Sequence, residues 1–155
     1  MAGTIDARLA ELGIELPEAA APVANYVPYT VTGNLVFVSG QVPIAKGEIQ
    51  YSGKLGEDVS IEDGQKAARL CGMNLIAQLK AACGGDLDRV TRCVSIRIYV
   101  ASAPDFTGQP AVGNGASELV GAIFGDLGKH ARAAVGVTAL PLNCAVEVES
   151  VWEIG

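Results

Sequence analysis

The chain has 155 residues, half of them hydrophobic and 18% charged, and its 11 Lys+Arg against 17 Asp+Glu leave a formal net charge of −6. That length is one domain with a real core, the apolar content excludes intrinsic disorder, and the acidic balance argues against a nucleic-acid partner, because binding phosphates needs clustered Lys and Arg. No apolar run approaches the roughly 20 residues that span a bilayer, and the opening Met-Ala-Gly-Thr-Ile-Asp-Ala-Arg lacks the basic start and apolar middle of a secretory signal, so a soluble, cytoplasmic protein without membrane contact is expected.

Residues 1–24 read as an N-terminal helical arm packed on the domain formed by 25–155. Thr4 is placed to cap a short helix from Ile5 to about Leu12, Gly13 ends it, and the prolines of Leu16-Pro-Glu-Ala-Ala-Ala-Pro22 prevent its resumption. From Asn25 the pattern turns to strands. Tyr26–Val31, the turn Thr32-Gly33-Asn34 and Leu35–Val38 give a hairpin, Ser39-Gly40-Gln41 follows, and a third short strand is expected at Glu48–Tyr51.

Ser60 caps a helix from Ile61 to about Cys83, with Asp63 at the reciprocal position and an apolar stripe of Ile61, Ala68, Cys71, Leu75, Leu79 and Ala82. Val90–Val100 is the clearest strand. Strict alternation puts Val90, Arg92, Val94, Ile96, Ile98 and Val100 on one face and Thr91, Cys93, Ser95, Arg97 and Tyr99 on the other. A glycine-rich helix at about Val112–Phe124 and strands at about Arg132–Thr138 and Ala145–Ile154 complete the chain. The order predicts an α+β sandwich, two helices packed on one face of a sheet of five or six strands. The last strand's other face mixes Glu147, Glu149 and Glu153 with Val151, which suits a sheet that meets other copies of the chain.

Cys71, Cys83, Cys93 and Cys144 have no zinc-type spacing and read as buried thiols. With His130 the only histidine, no multi-histidine metal centre can form, and no metal or cofactor is expected. Gly113-Asn114-Gly115 lacks the spacing of a phosphate loop, and Ser39 is not in a nucleophile elbow. Arg132 opens a strand followed by apolar residues. It is a planar fork suited to a carboxylate, or else a surface arginine or structural ion pair. Glu147 is either a placed base or one acid of a solvated face.

Pro28-Tyr29, Gly33-Asn-Leu-Val-Phe-Val-Ser39-Gly40-Gln41 and Arg132-Ala-Ala-Val-Gly-Val-Thr-Ala-Leu-Pro-Leu-Asn-Cys-Ala-Val-Glu147 resemble the Rid family, the YjgF-like reactive-intermediate deaminases, over about residues 25–154. The resemblance implies a chorismate-mutase-like subunit in a homotrimer, with sheets lining a central barrel and clefts between subunits. It implies cofactor-free hydrolytic deamination of 2-imino acids or their enamine tautomers, such as 2-aminoacrylate or 2-iminobutanoate, to 2-oxo acids and ammonia. Arg132 then matches the arginine that grips the substrate carboxylate and Glu147 the glutamate that positions or activates water. Tyr29 and Ser39-Gly40-Gln41 match cleft-lining positions, and Asn114 a polar residue on the second helix. Ala134 stands where many members carry Ser, Thr or Cys. A binding or regulatory module holding a small 2-oxo acid through Arg132 is the second reading, and the family's older label of endoribonuclease and translation inhibitor the third, disfavoured by the acidic charge.

Overall fold

The computed structural model describes residues 3–21 and 25–155. Met1, Ala2 and residues 22–24 of the expected arm, Pro22 included, lie outside the described residues. The elements run α1 (Thr4–Glu11), β1 (Tyr29–Thr32), β2 (Leu35–Gln41), β3 (Ile44–Ala45), β4 (Glu48–Ile49), α2 (Ile61–Ala82), β5 (Val90–Ala101), α3 (Gln109–Phe124), β6 (Ala131–Val137) and β7 (Val146–Ile154).

Five strands form one sheet in the order β1-β2-β7-β5-β6, and β3 and β4 make a separate two-stranded ribbon. Neighbours are antiparallel except β5 and β6, which are parallel because the chain crosses between them through α3. The turn at Gly33 forms with φ of +59°, a conformation cheap only for glycine.

Helices α2 and α3 cover one face of the sheet. Ser60 Oγ accepts a hydrogen bond from the Asp63 amide at 3.1 Å, which starts α2 where the sequence expects it. Gly115 lets the two helices touch backbone to backbone, since a Cβ there would strike the carbonyl oxygen of Gln65. Between helices and sheet lie Leu75, Leu79, Leu119 and Ile123 against Ile96, Ile98, Val146 and Trp152, all fully or nearly fully buried. The Trp152 ring centroid lies 5.0 Å from that of Phe124, and its Nε1–H donates to Ser150 Oγ at 2.8 Å, so the largest core side chain leaves no unpaired donor.

Several expectations need correction. Thr4 is not the cap of α1; Gly3 holds that position, and the Asp88 carboxylate accepts from the Thr4 and Ile5 amides at 2.8 and 2.9 Å. Those two bonds also hold the Asp88 carboxyl below its usual range. A cap from 84 residues away in sequence has no local signature. The first strand begins at Tyr29 rather than Tyr26, and the single strand expected near Glu48 is half of the β3–β4 ribbon. Ile61 is 43% exposed instead of part of the core stripe. Helix α3 starts at Gln109, three residues earlier than expected, because Pro110 fits the first helical turn, where no amide bond is lost.

In β5 the alternation is broken by two register shifts, between Val90 and Arg92 and between Cys93 and Ser95. Each extra residue resets the face on which side chains emerge. Cys93 is therefore fully buried and Arg92 exposed, the reverse of strict alternation. In β7 no bulge intervenes, and inward Val146, Val148, Ser150, Trp152 and Ile154 alternate with Glu147, Glu149, Val151 and Glu153 as the sequence suggests. All four cysteines are buried and free. Burial pushes the thiols of Cys93 and Cys144 up to about 12 and about 11, so they are inert, uncharged packing groups.

The outer face of the sheet carries no helix. Phe37 and Val135 are 42% and 47% exposed there, beside a polar set in which Tyr99 Oη donates to Glu149 Oε1 at 2.7 Å. Among the described residues, no helix is long and apolar enough to cross a membrane.

Candidate functional site

Arg132 lies on β6, an edge strand, opposite Ile96 of β5. Partners in a parallel pair point to the same side, and Ile96 is buried under the helices. The Arg132 side chain therefore runs along the α3 side of the sheet while staying exposed. Its Nη1 donates to Asn114 Oδ1 at 2.8 Å and to Ser117 Oγ at 3.3 Å, and its Nη2 donates to the Pro110 carbonyl at 3.4 Å. A guanidinium has five N–H donors. Those three contacts leave Nε–H and one Nη2–H without an acceptor among the described residues, the number that a carboxylate takes in a two-point grip. Among the described residues Arg132 forms no ion pair, so the structural ion-pair reading of it falls.

The floor beneath the guanidinium is bare. A Cβ on Gly113 would sit 3.4 Å from Arg132 Nη1 and 3.5 Å from the Ala134 Cβ. Asn114, which the sequence assigns to the site only through the family resemblance, is in direct contact with Arg132.

The remaining candidates gather elsewhere. Glu147 is paired with Tyr99 across the β5–β7 ladder and points away from buried Val146 and Val148, onto the outer face. It is half-buried, and desolvation, with a smaller contribution from the like charge of Glu149, raises its carboxyl above the usual range. Gly40 makes room for it, since a Cβ there would fall 2.9 Å from the Glu147 carboxyl carbon. Gln41 Nε2 donates to the Ser39 carbonyl at 3.1 Å, which braces the end of β2. Tyr29 and Ser39 line a cavity of about 460 Å³ on the outer face, with Tyr26, Phe37, Arg97 and Glu149.

The structure thus brings Asn114 to Arg132, and Gly40 to Glu147, but does not bring Arg132 to Glu147. Those two lie on opposite faces of the sheet, two strands and three residues apart, roughly 14 Å before the thickness of the sheet is added. Sequence reasoning missed Ser117 altogether and gave His130 no partner. The signals were present: Ser117 lies one helical turn beyond Asn114, and His130 lies two residues before Arg132, on the same side of the extended chain.

Residues 6–153 match the family described as "YjgF/chorismate mutase-like, putative endoribonuclease". The chain belongs to this family. Among YjgF-like proteins it is similar to protein TCP17 of Trypanosoma cruzi, 46% identical over 155 residues, covering 98% of this chain and 95% of that one. A structure of the Agrobacterium tumefaciens protein Atu1372, of unknown function, superposes with a TM-score of 0.91 at 48% identity over 97% of this chain and 92% of that chain. RidA from an Antarctic Psychrobacter is 29% identical with a TM-score of 0.59, covering 88% and 94% of the two chains. The YjgF-like fold accounts for the α+β layering.

A first prediction comes from Gly40. Adding a methyl group there forces the Glu147 carboxylate aside, and because that group ends a flexible side chain the fold absorbs the change. Gly40→Ala is expected to keep its melting temperature within a few degrees of wild type while losing roughly tenfold or more of whatever turnover depends on Glu147. Thermal melting and steady-state kinetics measured on one preparation check both halves.

Proposed function

We propose that this YjgF-like protein is a cofactor-free enamine/imine deaminase, hydrolysing small 2-imino acids such as 2-iminobutanoate to 2-oxo acids and ammonia. It works as a homotrimer whose sheets line a central barrel, and each site is assembled where two copies meet. One observation carries the reading: Arg132 is fixed on α3 with two N–H donors unspent at an exposed sheet edge. The likeness to RidA supports the same chemistry. In this account Arg132 of one copy grips the substrate carboxylate, Asn114 holds the arginine, and Tyr29, Ser39, Gly40 and Gln41 of the next copy form the opposite wall with Glu147.

The reaction suits such residues. A protonated imine is already a strong electrophile, so what the protein supplies is orientation and a placed water. Glu147 accepts a proton from water as the water oxygen bonds to C2 and the C=N electron pair moves onto nitrogen. The proton then passes from Glu147 to that nitrogen, the C–N bond breaks as the hydroxyl oxygen forms the carbonyl, and ammonia leaves with the hydroxyl proton returned to Glu147. A carboxyl raised by burial is a better match to proton transfer near neutral pH than a fully solvated one.

A second reading has one observation in its favour. Ala134, on the same side of β6 as Arg132, offers no hydroxyl or thiol to help place water, so a module that binds 2-oxo acids without rapid turnover would keep the Arg132 grip unchanged. An endoribonuclease has the net charge of −6 against it. The test generates 2-iminobutanoate in situ with an amino-acid oxidase and follows its loss by semicarbazide trapping. The deaminase speeds that loss over buffer, and light scattering gives three times the 15.9 kDa chain. No acceleration, together with 2-oxobutanoate binding through Arg132, gives the binding module instead, and a monomer peak removes the intersubunit cleft.

A further inference from the structure

Arg132 is held from behind by a hydrogen-bonded chain that the deamination chemistry does not require. Nδ1 of His130 lies 2.6 Å from the Gly128 carbonyl oxygen, and its Nε2 lies 2.9 Å from Ser117 Oγ. A carbonyl oxygen only accepts, so Nδ1 carries the proton and, in the neutral ring, Nε2 is the acceptor. Ser117 then donates its hydroxyl to His130, and its oxygen faces Arg132 Nη1 at 3.3 Å as an acceptor. Each group donates to the next in one direction, from Arg132 to Ser117 to His130 to Gly128, an arrangement in which every bond polarises its neighbour.

We propose that Ser117 and His130 are positioning residues that lock the Arg132 guanidinium in the plane from which it receives a carboxylate. This deepens the proposed deaminase reading and rests on it for the role of the carboxylate. Asn114 Oδ1 alone fixes one Nη1–H and leaves the planar group free to pivot about that bond, and the Pro110 carbonyl at 3.4 Å is a loose second hold. Ser117, one turn along α3, takes the other Nη1–H. With both Nη1 protons spent, Nε–H and the second Nη2–H are the donors offered to a ligand. His130 in turn fixes the Ser117 hydroxyl, which would otherwise rotate freely and could direct its proton at the cation. His130 immediately precedes β6, two residues before Arg132, and both side chains reach Ser117 on α3.

Ser117→Ala, Ser117→Thr, His130→Ala and His130→Gln separate a positioning role from a merely structural one. The direct readout is the ¹⁵N–¹H signal of the Arg132 Nη1 group, assigned by its loss in Arg132→Lys. In wild type it is narrow with slowed exchange, because both Nη1 protons are hydrogen-bonded. In Ser117→Ala and His130→Ala it broadens or vanishes, and 2-oxobutanoate binds roughly three- to tenfold more weakly, the range carried by the loss of one modest hydrogen bond. Ser117→Thr keeps the hydroxyl and stays near wild type, and His130→Gln, whose side-chain carbonyl can accept from Ser117, recovers part of the loss. Thermal melting of Ser117→Ala stays close to wild type. If the Arg132 signal and the affinity are unchanged in Ser117→Ala, the proposal is overturned, and it is equally overturned if Ser117→Thr is as impaired as Ser117→Ala. Absence of imine turnover in wild type removes the deaminase reading but leaves the Arg132 signal to decide this one.

Discussion

Arg132→Ala lowers kcat/KM for 2-iminobutanoate by about a hundredfold or more, the usual consequence of removing a charged anchor that also orients the reacting centre. Binding of 2-oxobutanoate, followed by calorimetry, falls below detection in the same variant. Stability changes little, because Arg132 is exposed and its partners on α3 remain open to water. Arg132→Lys recovers only part of the loss, since a single ammonium cannot reproduce two parallel N–H bonds. Near-wild-type kinetics in Arg132→Ala would leave the proposed substrate grip without support.

Glu147→Gln also separates activity from stability. Turnover falls by about a hundredfold or more as the only proposed base on the outer face is lost, while the fold becomes no less stable at neutral pH. The sign follows from burial. The Glu147 carboxyl is raised in the folded chain, so the folded state binds its proton more tightly than the unfolded state does. Stability from this group is present below the ordinary glutamate range and is lost as pH rises through the raised folded value. Glutamine carries no charge at any pH and avoids that loss. The melting temperature of Glu147→Gln relative to wild type should therefore rise between acidic and neutral pH, as differential scanning calorimetry at two pH values would record. A variant that is inactive and also markedly less stable at neutral pH would mean that Glu147 serves the fold.

The long elements were legible because their signals are local. Ser60 with Asp63, the alternation of Val146 to Ile154 and the proline and glycine punctuation each express one element's own periodicity or caps. What was not legible depends on distant parts of the chain. The cap of α1 comes from Asp88, and the two register shifts of β5 against β7 correspond to no motif in Val90–Ala101. The candidate site shows the same division. Arg132 and Glu147 stood out by residue type and by spacing in a family pattern, but spacing along the chain does not reveal the face of a sheet. Only the register, with Arg132 opposite buried Ile96 and Glu147 opposite Tyr99, separates them. Ser117 was invisible because a serine on a helix has no chemistry until something is placed beside it.

That separation makes a site shared between copies the central claim, and mixing two inactive variants tests it most directly. Differently tagged Arg132→Ala and Glu147→Gln chains are co-expressed, and hybrid oligomers carrying both tags are isolated and assayed with 2-iminobutanoate. If each site takes its arginine from one copy and its glutamate from the next, every hybrid trimer holds one interface with both native residues, and activity recovers to about a third of wild type. Hybrids that form but stay as inactive as their parents would contradict a shared site.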